Sequence, residues 1–297
     1  MNAELAQVRY EQATPQIARI VMARPEARNA QGLQMTYELA AAFDRAAHDD
    51  QVKVIILAGD GPHFSAGHDL GGDYGKTWRD FPIVGTWAGF DAPGVEGRFG
   101  REKEIYLELC ERWRNLPKPT IAEVRGVCIA GGLMLAWACD LIIAAEDARF
   151  KDPTVEFGVV GAEFFMHPWE LGPRKAKEWL FTAEWIGAEE AHARGMVNRL
   201  VPGERLSAEV LELAERIAKK PMFALKAAKE AVNHVQDIQG RRNAMMHSFA
   251  LHHLTHAHNM MVWDALVDPN GLPEPVRSKL LERLEQARAA RTGAAAE

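Results

Sequence analysis

Cysteine is scarce: three residues in a chain of 297, an odd number that does not make a disulfide framework. Cys110, Cys128 and Cys139 read instead as thiols of a reducing compartment, two of them inside apolar runs. Basic charge is short as well, with 35 Lys and Arg against 41 Asp and Glu and a net charge of −6. That balance argues against general nucleic-acid binding, so an anionic ligand has to be met by a local basic patch. No apolar run approaches the length of a membrane span. The opening MNAELAQVRYEQ has no basic segment followed by an apolar one, so no signal peptide is expected and the expected location is the cytoplasm.

Familiar site patterns are missing too. GVCIAGGLML (126–135) has neither the G-x-G-x-x-G nor the G-K-[ST] spacing of nucleotide-binding loops. HFSAG (63–67) puts a histidine where a nucleophile elbow needs its first glycine. Neither H-E-x-x-H nor paired C-x-x-C occurs. Histidines do crowd the C-terminal part (His247, His252, His253, His256, His258), and His252 and His256 are four apart, on one helix face. Zinc normally takes a third clustered ligand, so these residues read as a polar helix face or a subunit contact, and no metal site is assigned.

What is present is an alternation of strand and helix signals. VRYEQ (8–12) and IARIVM (17–22) predict a pair of strands, and LQMTYELAAAFDRAA (33–47) has helical spacing. VKVIILAG (52–59) is a β-branched run closed by glycine, as in a strand buried on both faces. A long loop rich in Gly, Asp and Trp follows, from Gly59 to Gly100, of a length usually tied to function or mobility. A helix over 101–114, strands over 119–126 and 141–146, and helices from Glu163 complete an α/β body. From Glu204 onward the text is helical, in segments that include one opening at Pro221 and others over 241–265 and 274–290. The expected organisation is an α/β core over 1–203 and a helical C-terminal region over 204–297.

Two segments stand out as a site, HFSAGHDLGG (63–72) and VRGVCIAGGLMLAWACDL (124–141). Each places a turn of small residues at the end of a buried strand. Two backbone N–H groups meeting from separate strand ends make an oxyanion hole, which needs an approachable backbone and no particular side chain. Gly131 and Gly132 meet that need, although close packing of a helix on a strand selects glycine equally.

RPEARNA (24–30), FSAGHDL (64–70), KPTIAEVRGVCIAGGLMLAWACDLIIAAEDARF (118–150) and GPRKAKEWLFTAEWIGAEEAHARGMVNRLVP (172–202) together resemble the crotonase, or enoyl-CoA hydratase/isomerase, superfamily. The resemblance runs in order from about Val8 to Val235 and is most specific at the glycine pair followed by C-D-L. It implies an α/β spiral of β-β-α turns with a helical C-terminal region that builds homotrimers, often stacked into hexamers. It also implies an acyl-CoA substrate, with coenzyme A as part of that substrate and no separate cofactor. By motif position, His68 and Gly131 would donate the two N–H groups. Arg24, Ala27, Arg28, Ala66, Asp69 and Leu70 would flank CoA. Lys229 either reaches CoA or lies on a solvated helix face.

The same resemblance exposes a departure. Where hydratases of the family carry two glutamates, this chain has Met134 and Thr154, neither of which is a carboxylate base. Glu163, in GVVGAEFFMHPWEL, is the replacement candidate, expected at a helix start among Val160, Phe164 and Phe165. Its alternative is an acid merely stabilised by the helix dipole. Asp73, Tyr74 and His167 could approach substrate, with Asp152 and Glu156 behind them. Trp78, Phe81, Trp87 and Phe90 imply either a bulky acyl pocket or a packed lid. The implied activity is isomerisation or non-standard hydration; the alternatives are CoA-thioester or C–C hydrolysis, and a catalytically silent CoA-binding homologue.

Overall fold

The VIILAG run forms β3 (Val54–Gly59), which pairs in parallel with β2 (Ile17–Met22) and β4 (Thr120–Val124). The computed structural model describes residues 5–70 and 77–294, so Asp73 and Tyr74 lie outside the described residues. β1 (Val8–Thr14) joins β2 antiparallel, and β6 (Leu141–Ala145) and β9 (Arg199–Val201) extend the far side in parallel. The order is β1-β2-β3-β4-β6-β9. A second sheet stacks β5 (Val127–Ile129), β7 (Arg149–Lys151) and β8 (Ile186–Gly187).

Period-two alternation divides the strand side chains between two cores. Ala18, Ile20, Ile55, Leu57 and Ala122 face the larger one, with Phe43, Trp113, Leu133 and Met134. Ile17, Val54, Ile56, Ile121 and Ile143 face the other way, onto Leu206, Val210 and Ala214. At roughly 2 kcal/mol for each fully buried branched side chain, both faces contribute strongly. The first core is roofed by α1 (Leu33–His48), α2 (Val95–Glu102), α3 (Leu109–Arg114), α4 (Gly131–Trp137), α5 (His167–Thr182) and α6 (Ala188–Ala193). The second is covered by α7 (Leu206–Ala218). α8 (Met222–Ile238), α9 (Arg241–Trp263) and α10 (Glu274–Ala294) follow.

Three expectations shift. The helix expected over 101–114 begins at Val95, shortening the loop, and its middle, Lys103–Glu108, is wound as a π-helix in which the Leu109 N–H donates to Glu104 O. That wider turn is invisible to a search for 3.6-residue spacing. Glu163 is not on a helix start, because α5 begins at His167 and Glu163 occupies the turn before it. The helical stretch set apart from Glu204 onward opens with α7, which is packed on the sheet of the body. α8 has no buried residue and displays Phe223, Val232 and Ile238 outward.

Candidate active site

The segment after β3 is threaded between two others. Phe64 and Ser65 donate to Arg125 and Val127 carbonyls, and Ile129 N donates back to Ser65 O at 3.0 Å. On the opposite side Gln31 N donates to Gly67 O at 2.8 Å and Asp69 N to Gln31 O at 2.9 Å. The pattern skips residue 68. Among the described residues, neither the His68 N–H nor the Gly131 N–H has a protein acceptor. Gly131 opens α4, where N–H groups lack intrahelical partners, and Ala130 turns the chain into it at a left-handed φ of 45°.

The glycines have separate reasons. A Cβ on Gly132 would stand 2.7 Å from Ser65 O, so this residue is glycine for close packing. A Cβ on Gly131 would collide with the His68 imidazole, 2.6 Å from its Nε2. At Gly67, with φ 89°, a Cβ would lie 2.7 Å from Ile129 O and 3.2 Å from Gly131 N. The peptide leading into His68 therefore lies directly against the start of α4.

Glu163 reaches the same place from the other side. Its turn is held by Asp152, whose fully buried carboxylate accepts from Thr154 N at 3.0 Å, Thr154 Oγ1 at 2.6 Å, Ala162 N at 3.0 Å and His167 Nε2 at 2.7 Å. Burial pushes the Asp152 pKa up, but the His167 contact and the other donors outweigh it and hold the group down at about 2. Thr154 is thus a donor inside this knot, and Met134 lies in the main core. Glu163 Oε1 is 3.7 Å from His68 Nδ1 and 3.6 Å from His252 Nε2, with the carboxylate 7% exposed. The His68 ring stacks on Tyr106 with centroids 3.9 Å apart, and burial lowers its pKa, favouring the neutral imidazole.

His252 is fixed by Gly161 O, 2.8 Å from Nδ1. His252 and His253 are buried at 3% and 4% exposure, which overturns their reading as a polar helix face; His247 and His258 on the same helix are exposed. Sequence reasoning missed His252, Tyr106, Gln31 and Glu102 as neighbours of this site. The spacing of His252 and His256 was a signal, but what they face comes from α2, far away in the chain.

Of the residues expected to flank CoA, Arg24, Ala27, Arg28, Ala66, Asp69 and Leu70 are brought together. Ala66 N donates to Arg28 O at 2.9 Å, and Arg24 Nη1 lies 2.9 Å from Asp69 Oδ2. The Arg24–Asp69 pair is buried and ties the two segments to each other, whereas Arg28 and Leu70 are exposed. Lys229 does not lie on a solvated helix face, and within the chain it stands apart from this group: Nζ is 2.9 Å from Asp140 Oδ2 and donates to Lys118 O at 3.1 Å, beyond the far end of α4.

The described part of the long loop is held by aromatic pairs, although much of it is exposed. Phe81 stacks on Tyr37 at 4.9 Å, Trp78 meets Phe90 edge-on at 5.2 Å, and Trp87 leans on Phe99 at 5.4 Å. Buried Glu104 anchors it, accepting from Tyr37 Oη at 2.8 Å, Val84 N at 3.2 Å and Gly85 N at 3.1 Å. No helix among the described residues is long and apolar enough to cross a membrane.

A family model described as enoyl-CoA hydratase/isomerase matches residues 12–82 and 95–262. The putative enoyl-CoA hydratase EchA13 of Mycobacterium tuberculosis (strain ATCC 25618 / H37Rv) is 46% identical over 261 residues, 86% of this chain and 82% of that protein. The 4-chlorobenzoyl coenzyme A dehalogenase-2 of an Arthrobacter species is 31% identical over 210 residues, 70% of this chain and 71% of that one. Among solved structures, a probable enoyl-CoA hydratase from Mycobacterium thermoresistibile superposes with a TM-score of 0.80 at 48% identity, covering 88% of this chain and 99% of that one. An enoyl-CoA hydratase/isomerase from Xanthobacter autotrophicus Py2 gives a TM-score of 0.78 at 32% identity, covering 97% and 99%.

Proposed function

Because the chain belongs to the enoyl-CoA hydratase/isomerase family, we propose that it binds an acyl-CoA thioester with the carbonyl oxygen between the N–H groups of His68 and Gly131. As negative charge develops on that oxygen, each donor lowers the barrier by about 3 kcal/mol. The observation that carries the reading is one buried carboxylate, Glu163, set against the His68 ring whose own backbone supplies a donor.

Glu163 acts as the base. It removes a proton from a carbon next to the unsaturated thioester, and the electron pair moves into the enolate. Returning that proton to a different carbon shifts the double bond, and nothing else is consumed. Hydration asks for more: a base for water and an acid for the α-carbon. Met134 and Thr154 offer neither, which favours isomerisation, or a hydration run by Glu163 alone. CoA follows the joined segments 24–31 and 66–70, with exposed Arg28 as the cation nearest to hand for a phosphate. The outward apolar residues of α8 support self-association into a trimer or hexamer, and the free thiols suit a cytoplasmic protein.

The test is incubation of the purified protein with a panel of enoyl-CoA thioesters in deuterated water, followed by mass spectrometry and NMR. A chloroaroyl-CoA belongs in the panel because two of the relatives carry the dehalogenase name. Deuterium at the α-carbon with a moved double bond is the expected result. Free CoA or two carbonyl fragments would assign a hydrolase instead. Tight binding with no turnover of any thioester would leave a silent CoA-binding homologue.

A further inference from the structure

Behind Glu163 lies a second cluster that the reaction does not use. The ligand-type atoms of Glu102, His252 and His256 lie within 4.8 Å of one another, on α2 and α9. Both imidazoles are oriented by backbone carbonyls: His252 Nδ1 is 2.8 Å from Gly161 O, and His256 Nδ1 is 2.7 Å from Leu266 O. A carbonyl accepts, so each Nδ1 carries a proton, and in the neutral imidazole each Nε2 is the nitrogen left with a lone pair. This is the arrangement that fixes metal-binding histidines, where the outer nitrogen donates to a carbonyl and sets the tautomer of the inner one. His252 Nε2 and Glu102 Oε2 are buried and have no hydrogen-bond partner among the described residues. His252 is 3% exposed, so that lone pair is turned into the protein and away from bulk solvent.

We propose that Glu102, His252 and His256 bind a divalent transition-metal ion through the Glu102 carboxylate and the two Nε2 atoms. Two neutral imidazoles and one carboxylate suit borderline ions such as Zn²⁺ better than Mg²⁺ or Ca²⁺, which prefer oxygen alone. Tetrahedral Zn²⁺ holds its ligand atoms about 3.3 Å apart, so the widest pair here closes by about 1.5 Å at most. Glu163 Oε1 lies 3.6 Å from His252 Nε2, and the positive charges of Arg98 and Arg101 both act on Glu102. Burial, with Glu163 nearby, pushes the Glu102 carboxyl up to about 8, so an ion binding there displaces a proton from it. His253 Nε2 approaches the same Glu102 oxygen at 3.4 Å and flanks the site. Entry is through a cavity of about 340 Å³ lined by Arg98, His253, His256 and Met260. The ion would clamp α9 to α2 behind Glu163. This inference stands apart from the choice of reaction.

The experiment uses the full chain, stripped with a chelator and titrated with Zn²⁺ by calorimetry and with Co²⁺ by visible absorption. One equivalent is expected to bind, with ligand-field bands from Co²⁺ and a raised Tm with Zn²⁺. Glu102→Gln and His256→Ala are each expected to weaken binding by about tenfold or more. A His247→Ala/His258→Ala double variant, changing only exposed histidines of the same helix, should bind as the parent does. The proposal is overturned if the parent shows neither binding nor a Tm shift, or if the double variant loses binding while Glu102→Gln keeps it. Should a variant fail to fold, the Co²⁺ spectrum and Tm shift of the parent still decide.

Discussion

His167 Nε2 donates to Asp152 Oδ2 at 2.7 Å, and neither side chain has any exposure. The pair closes the loop from β7 to α5 and so decides where Glu163 stands. A carboxylate that accepts four hydrogen bonds out of reach of water is stable only as a set. Asp152→Asn keeps the shape but turns acceptors toward donors poorly, and is expected to cost about 2–3 kcal/mol in urea unfolding. The pH dependence has a definite sign. Asp152 titrates near 3.8 when unfolded and at about 2 when folded, so its contribution is complete above pH 4 and disappears as pH falls toward 2. The parent should lose stability across that window and the Asn variant should lose less.

Glu163→Gln retains size and hydrogen bonding but cannot take a proton. On the proposed chemistry it lowers kcat and α-deuterium exchange by about 10²–10⁴ while leaving acyl-CoA affinity within a few-fold. Quench-flow exchange and equilibrium binding, run side by side, check it. An equal loss in both would make the residue a binding group.

The two neighbouring glycines should separate. Gly132→Ala drives a methyl against the Ser65 carbonyl, and its effect belongs in stability, at about 2 kcal/mol or more. Gly131→Ala meets a side chain, the His68 ring, which can swing aside. Its effect belongs in catalysis, about 10²-fold, as for a displaced oxyanion donor. Thermal unfolding and kcat on both variants make the comparison.

Lys229→Met leaves Asp140 without its cation, and that carboxylate also receives Thr120 N at 2.8 Å and Thr120 Oγ1 at 3.0 Å. A loss of about 1–3 kcal/mol in stability is expected, with acyl-CoA affinity changed less than about twofold. A tenfold fall in affinity at unchanged stability would return Lys229 to the ligand.

What was legible in the sequence was local. VIILAG declares its burial on both faces without help, and IARIVM and LIIAA read as strands, because each is a short apolar run complete within a few residues. The turn at Gly67 and the pair at Gly131 were legible for the same reason. Contacts made across the fold were not. His252 and His256 signal a shared face, but the carboxylate they meet sits on α2, and sequence spacing has no measure for that distance. Arg24 reads as a free cation until Asp69 is seen beside it. Asp152 looks like one loop acid among several, and only coordinates show four donors converging on it. The π segment escaped because a single extra residue per turn leaves hydropathy almost unchanged.

That segment sets a rule for what can be edited. The wide turn from Lys103 to Glu108 lets Glu104 hold the loop at Val84 and Gly85 and Tyr106 lie on His68 from a single coil of backbone. Removing one residue there would restore regular winding while the flanking coils kept their orientation, since the bulge already absorbs the surplus residue. The fold would survive the shorter chain, but one coil would no longer aim both side chains. The anchor for Val84 and Gly85 and the support for the His68 ring would become mutually exclusive, and chain length at this point would choose between them.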